Sequence, residues 1–64
     1  MPIINVQMLS GRPPEQKGAL IKELAEATIR ALGVPEEAVR IVLTEVEPEH
    51  WGAGTRTMAD LRKR

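Results

Sequence analysis

The sequence predicts an α/β fold: one β-α-β unit with parallel strands, followed by a short turn or hairpin near the C-terminus. Two observations carry this prediction. Runs rich in β-branched residues at 3–9 and 39–46 flank a segment at 14–32 whose apolar residues recur at helical spacing. A strand, a long helix and a second strand in this order form a right-handed crossover with parallel strands in nearly every known case.

The first strand is predicted over residues 3–9, and Ser10-Gly11 follows as a turn signal. Side chains alternate between the two faces of a strand. One face therefore carries Ile4, Val6 and Met8, and the other carries Ile3, Asn5, Gln7 and Leu9. The second face is chemically mixed, so we expect it to be only partly dry.

The helix is predicted from about Pro14 to Leu32. Proline suits the first helical position, and Gly33 followed by Pro35 marks the end. The predicted apolar face consists of Leu20, Leu24, Ala27 and Ala31, flanked by Ile21, Ala25 and Leu32. The predicted solvent face consists of Lys17, Lys22, Glu23, Glu26 and Arg30.

The second strand is predicted over residues 39–46, after one short turn at 35–38. A single helix covers one face of a two-stranded sheet, which leaves Val42 and Val46 bare, and such a sheet is marginal in water. Another subunit is therefore expected to cover this face, and oligomerisation to complete the sheet. The segment Gly52-Ala53-Gly54 favours a tight turn or hairpin, and Trp51 beside it is expected to pack across an interface.

Composition excludes several classes of protein. The chain has 64 residues, no cysteine and one histidine, so neither a disulfide nor a zinc or iron–sulfur site can stabilise it. Nine basic residues balance nine acidic ones, which argues against a nucleic-acid partner. The basic residues at the C-terminus (Arg56, Arg62, Lys63, Arg64) are interpreted as a solvated end; nucleic-acid binding there is a weaker alternative.

The expected location is the cytoplasm, and the expected organisation is a single domain over residues 1–64. No apolar run approaches the roughly 18 residues of a membrane span. Met1-Pro2 also lacks the basic start and apolar stretch of a signal peptide. No membrane association is expected.

Pro2 is the residue with the most distinctive chemistry. Removal of Met1 before a small residue such as proline exposes a secondary amine, which is a base when neutral. An α-amino group titrates near about 8 and a prolyl amine is somewhat more basic, so a site would have to lower its pKa by burial and nearby cations. Arg12 and Arg40 offer such cations and also bind carboxylates through paired hydrogen bonds.

Blocks along nearly the whole chain resemble the 4-oxalocrotonate tautomerase family. Members are βαβ subunits that assemble as hexamers, as trimers of dimers, with C-terminal hairpins that bind neighbouring chains. The resemblance therefore implies a homo-oligomer and a tautomerase-like domain. The blocks that carry it are Met1-Pro2-Ile3, Leu9-Ser10-Gly11-Arg12, Glu15-Gln16-Lys17, Leu20-Ile21, Pro35, Val39-Arg40, Thr44-Glu45, His50-Trp51-Gly52 and Gly54.

The resemblance also implies roles for individual residues. Pro2 matches the proline that transfers the proton. Arg12 matches the arginine that holds the distal carboxylate of a dicarboxylate substrate. Arg40, from an adjacent subunit, matches the arginine that binds the 1-carboxylate and the 2-oxygen of the substrate. Trp51 and Leu9 fall on the apolar wall of the pocket. The implied reaction is cofactor-free and metal-free isomerisation of an unsaturated 2-hydroxy or 2-oxo acid such as 2-hydroxymuconate, as in aromatic catabolism.

Three residues depart from the family pattern. Pro13 replaces a helix-capping serine and offers no side-chain acceptor. Trp51 stands where phenylalanine is usual, and Ala53 is smaller than the usual apolar residue, which changes the pocket wall. A retained Met1 would make the Pro2 nitrogen a tertiary amide, and the alternative is then an oligomeric family member without this activity.

Overall fold

The computed structural model describes residues 1–63, and Arg64 of the basic C-terminal end lies outside the described residues. The chain forms strand β1, then helix α1, and a short turn leads from α1 to strand β2. A small hairpin (β3 and β4) and a second helix, α2, follow. The bounds are β1 Ile3–Leu9, α1 Pro14–Leu32, β2 Arg40–Val46, β3 Gly52–Ala53, β4 Arg56–Thr57 and α2 Met58–Arg62. The predicted fold class, a β-α-β unit with a short C-terminal hairpin, is confirmed.

The main sheet consists of β1 and β2, which pair in parallel. Ile3 lies opposite Arg40 at one end of the ladder, and Leu9 lies opposite Val46 at the other. The predicted alternation holds through most of both strands: on the face toward α1, the side chains of Ile4, Val6, Met8, Ile41 and Leu43 are half-buried, and the pattern changes only at the C-terminal end of each strand. β2 begins one residue later than predicted, because the Val39 N–H closes a 3₁₀ turn by bonding to the Glu36 carbonyl.

Helix α1 has the predicted bounds. Pro13 occupies the N-cap with extended backbone, and Pro14 follows at the first helical position. At the other end Gly33 adopts the left-handed conformation, with φ 67° and ψ 31°, and its N–H bonds to the Ile29 carbonyl at 2.9 Å. Within residues 1–63, neither helix combines the length and apolar character that crossing a membrane requires.

The inward face of α1 is rotated from the predicted one. Lys17 was placed on the solvent face, but it is half-buried and its Nζ lies 3.1 Å from a carboxylate oxygen of Glu45 on β2. Ala27 and Ala31 are exposed instead of inward. The 19-residue helix is about 28 Å long, whereas the seven-residue strands are about 23 Å long. The last turn of the helix therefore extends past the end of the sheet. The half-buried helix positions are Lys17, Leu20, Leu24, Ala25, Thr28 and Ile29.

The single chain has almost no closed core. Among residues 1–63 only Val39 is classed as buried, at 9% exposure. The radius of gyration is 15.0 Å, whereas a compact domain of this length has about 11 Å. On the sheet face without a helix, Ile3 and Val42 are 61% and 47% exposed. Within a single chain, helix α1 therefore covers one face of the sheet and leaves the other face exposed.

Gly18 inside α1 and Gly33 at its C-cap provide a matched stability test. Gly33→Ala forces a Cβ into the left-handed region, and we expect it to lower the free energy of unfolding by about 1 kcal/mol. Gly18→Ala lies inside the helix with open space around the new methyl group, and it should raise stability by about 0.5–1 kcal/mol. Thermal unfolding at one fixed chain concentration measures both. Shifts of the same sign would contradict this account of the helix.

Candidate active site

A network in the C-terminal segment positions Trp51 and α2. The strands β3 and β4 pair antiparallel around a tight turn, where Gly54 has a φ of 68°. The Thr57 hydroxyl accepts a hydrogen bond from the Asp60 N–H at 3.1 Å and so caps α2. The Met58 N–H donates to the Trp51 carbonyl at 2.7 Å. Trp51 and the first turn of α2 are therefore held side by side.

An open cleft lies between this segment and the end of β1. Its volume is about 450 Å³, which is within the range of small-molecule sites. Two guanidinium groups and several apolar side chains share the lining, so the cleft suits an anion with an apolar body. The lining residues are Leu9, Ser10, Gly11, Arg12, Trp51, Met58 and Arg62.

Three of the predicted site residues meet in this cleft. Leu9 ends β1, and Gly11, with a φ of 120°, turns the chain away from the sheet direction. Arg12 follows directly, before the Pro13 N-cap of α1. Trp51 is half-buried and also lines the cleft. Leu9 and Trp51 thus place apolar surface beside the guanidinium of Arg12.

The other two predicted residues lie at the opposite end of the sheet. The Arg40 N–H donates to the Pro2 carbonyl at 3.1 Å, which joins the start of β2 to the residue before β1. The Arg40 guanidinium donates to the backbone carbonyls of Glu37 and Val39. Since β1 spans seven residues, about 20 Å separates Pro2 and Arg40 from the cleft. One chain therefore holds the predicted residues as two separate groups.

Arg62 and Met58 are cleft residues that the sequence reasoning missed. The sequence prediction assigns Arg62 to a solvated basic end and contains no second helix. The available signal was Thr57 followed three residues later by Asp60, a pattern typical of a helix start. Met58 and Arg62 are four positions apart, so a helix brings them to the same face. The cleft thereby gains a second guanidinium.

Within residues 1–63, no group of three or more His, Cys, Asp or Glu side chains is placed to hold a metal ion. The polar side chains available to a ligand in the cleft are those of Ser10, Arg12 and Arg62, with the indole N–H of Trp51. Such donors recognise carboxylates and other oxyanions.

Known proteins that are similar to this chain in sequence and fold define the family. A family model described as "Tautomerase enzyme" matches residues 2–60. A 2-hydroxymuconate tautomerase of Pseudomonas putida is 41% identical over 98% of this chain and 100% of that protein.

Solved structures agree with this. One of them is TomN, a 4-oxalocrotonate tautomerase homologue in the tomaymycin biosynthetic pathway, whose sequence is 43% identical to this chain. The two structures superpose with a TM-score of 0.93, and the match covers 95% of this chain and 94% of TomN. A heterohexameric 4-oxalocrotonate tautomerase from Chloroflexus aurantiacus is 42% identical with a TM-score of 0.91, over 97% of this chain and 100% of that one.

The β-α-β fold and these relatives define an isomerase of the tautomerase class. Within that class, the chain belongs to the 4-oxalocrotonate tautomerase family. This confirms the resemblance on which the predicted activity rests.

Trp51 gives a direct probe of the cleft, because it is the only aromatic residue in the chain. We expect adipate, a non-absorbing six-carbon dicarboxylate, to change the Trp51 emission intensity saturably when it fills the cleft. Arg12→Ala should weaken this response at least fivefold, since a charge-assisted hydrogen bond is removed. Arg56→Ala, an exposed arginine outside the cleft lining, is the matched control. An equal loss in both variants would contradict carboxylate binding at Arg12.

Proposed function

We propose that this tautomerase moves a proton within an unsaturated 2-hydroxy or 2-oxo acid such as 2-hydroxymuconate, without a cofactor. The observation that carries the proposal is the cleft in which Arg12 lies beside the apolar surfaces of Leu9 and Trp51. A guanidinium next to an apolar wall matches a carboxylate on an unsaturated carbon chain. The relative named 2-hydroxymuconate tautomerase supports the same substrate class.

In the proposed mechanism, Pro2 acts first as general base and then as general acid. After removal of Met1, the neutral proline nitrogen accepts the proton of the substrate 2-hydroxyl group. The O–H electron pair forms the C2 carbonyl, the double bonds shift along the chain, and the prolinium returns the proton at carbon 3 or 5. Protons and electrons balance without any further reactant.

Arg40 is proposed to bind the 1-carboxylate and the 2-oxygen. Negative charge grows on that oxygen as the proton leaves, and a fixed guanidinium stabilises it in the transition state. Arg12 is proposed to hold the distal carboxylate, and Trp51 and Leu9 to form the apolar wall. An apolar wall and two cations favour the neutral form of the proline amine, because burial and positive charge both oppose its protonation.

The proposed active unit is a homo-oligomer, a hexamer built as a trimer of dimers. In one chain, Pro2 and Arg40 lie about 20 Å from Arg12, which is too far for one small substrate. Joining two sheets antiparallel along an edge brings the start of one chain's strands beside the end of the other's. The exposed Ile3 and Val42 on the helix-free sheet face and the heterohexamer reported for the Chloroflexus aurantiacus relative support this assembly.

The state of the N-terminus decides the mechanism. We expect the chain without Met1 to convert 2-hydroxymuconate rapidly, followed by ultraviolet absorbance, and the chain that retains Met1 to lose at least a hundredfold in kcat. A retained Met1 makes the Pro2 nitrogen an amide without a basic electron pair. Intact-mass measurement identifies which form each preparation contains.

Variants of the processed chain complete that test. Pro2→Ala leaves a weaker primary amine and should retain part of the activity, whereas Arg40→Ala should lower kcat about 10²–10³-fold, as for other groups that stabilise an oxyanion. Arg30→Ala, an exposed arginine on α1, serves as control. Full activity with Met1 in place would refute Pro2 as the base and leave an oligomeric protein with a different mechanism.

Assembly has its own test on the helix-free sheet face. Val42→Lys places a charge at an apolar position that is 47% exposed in the single chain, and we expect it to reduce the oligomer to smaller species and to remove activity. Leu32→Lys, at a position 60% exposed at the end of α1, should leave the assembly intact. Sedimentation velocity measures the size. An unchanged oligomer in Val42→Lys would exclude this face as a subunit contact.

A further inference from the structure

Arg12 is held by a side chain outside the cleft lining. Its Nη1 donates a hydrogen bond to the Oε1 of Gln16 at 3.2 Å. Gln16 lies in the first turn of α1, and it is not among the residues that line the cleft. We infer that Gln16 is a positioning residue that orients the Arg12 guanidinium for the distal carboxylate. This inference rests on the proposed function, which assigns that carboxylate to Arg12.

The N-cap explains why the Gln16 side chain is available for this contact. With Pro13 at the N-cap, Gln16 is the third residue of the helix, where a glutamine usually accepts a hydrogen bond from the N-cap backbone N–H. Proline has no backbone N–H. The Gln16 amide oxygen accepts from Arg12 instead, while the Gln16 backbone N–H bonds to the Pro13 carbonyl at 3.1 Å.

Because Gln16 binds Nη1 of Arg12, the edge of the guanidinium formed by Nε and Nη2 stays free to bind a carboxylate. Arginine presents five N–H donors in a planar fork, and paired binding of a carboxylate uses two parallel N–H groups. With Nη1 bound to Gln16, the Nε and Nη2 edge of Arg12 remains available for that pairing. This hydrogen bond between two exposed side chains restricts one end of a flexible side chain, which reduces the entropy lost when the ligand binds.

The chemistry of the acceptor also fits this role. An amide oxygen orients the guanidinium without neutralising its charge. A carboxylate at position 16 would hold Arg12 more strongly but would also compete with the substrate for the cation. The two sequence features, a proline N-cap and a neutral glutamine three residues later, thus act together on Arg12.

The experiment compares a dicarboxylate substrate with a monocarboxylate one. Gln16→Met keeps the side-chain length and a good helix former but removes the acceptor. We expect KM for 2-hydroxymuconate to rise three- to tenfold with kcat within twofold, since binding of a remote group is lost equally in ground and transition states. KM for 2-hydroxypenta-2,4-dienoate, which lacks the distal carboxylate, should not change.

Gln16→Glu distinguishes the effect of orienting Arg12 from the effect of the charge at position 16. It keeps the acceptor, so Arg12 stays oriented, but the added negative charge should raise KM for the dicarboxylate, and added salt should reduce that rise. Glu23→Met, an exposed position further along α1, is the control for the helix itself. Thermal midpoints of all variants should agree within a few degrees.

A double variant makes the failures distinguishable. If Gln16 acts through Arg12, adding Gln16→Met to Arg12→Ala raises KM no further. An equal, additive effect in that background would overturn the inference and leave the proposed function standing, as would an unchanged KM in Gln16→Met. If Arg12→Ala raises KM for the two substrates equally, Arg12 does not bind the distal carboxylate. In that case the inference about Gln16 is wrong as well.

Discussion

The parallel pairing of β1 and β2 determines where the chemistry of this chain lies. Parallel strands begin at the same end of a sheet, so the register that sets Ile3 opposite Arg40 also puts Pro2 beside Arg40. The crossover helix must run back along the sheet. Its start, with Arg12 just before it, therefore lies at the other end, next to Leu9. The proposed base and the proposed distal carboxylate site are separated by the length of the strands.

The same topology accounts for the missing core and the divided site. One helix covers one face, and a chain of this length has no second layer to cover the face that carries Ile3 and Val42. In the proposed assembly, contacts between copies answer both needs: edge pairing brings Pro2 of one chain toward Arg12 of another, and packing of further copies buries the exposed sheet face. Stability and activity then depend on the same assembly, so both should vary with chain concentration.

Local signals in the sequence predicted the elements well, because single residues impose them. Pro14 and Gly33 fix the ends of α1 through φ preferences, and alternating side chains fix the faces of both strands. The inward face of α1 was less predictable, since it depends on where the helix axis lies over the sheet; Lys17 faces Glu45 for that reason. Helix α2 is too short to show periodicity, so its only sequence signal is the cap formed by Thr57 and Asp60, and the place of Arg62 in the cleft follows once that cap is recognised.

In the proposed site, charge balance favours a substrate with two carboxylates. Arg12 and Arg62 both line the cleft, and an anion that enters compensates their positive charge. In the proposed site, Arg40 adds a third cation near the base, where it opposes protonation of the proline and stabilises the developing oxyanion. A monoanion leaves the guanidinium at the distal end unpaired, whereas a dianion places one carboxylate at each end. In that proposed site, an uncharged acceptor such as Gln16 preserves this excess of positive charge, because it orients Arg12 without cancelling the positive charge that would favour a dianion.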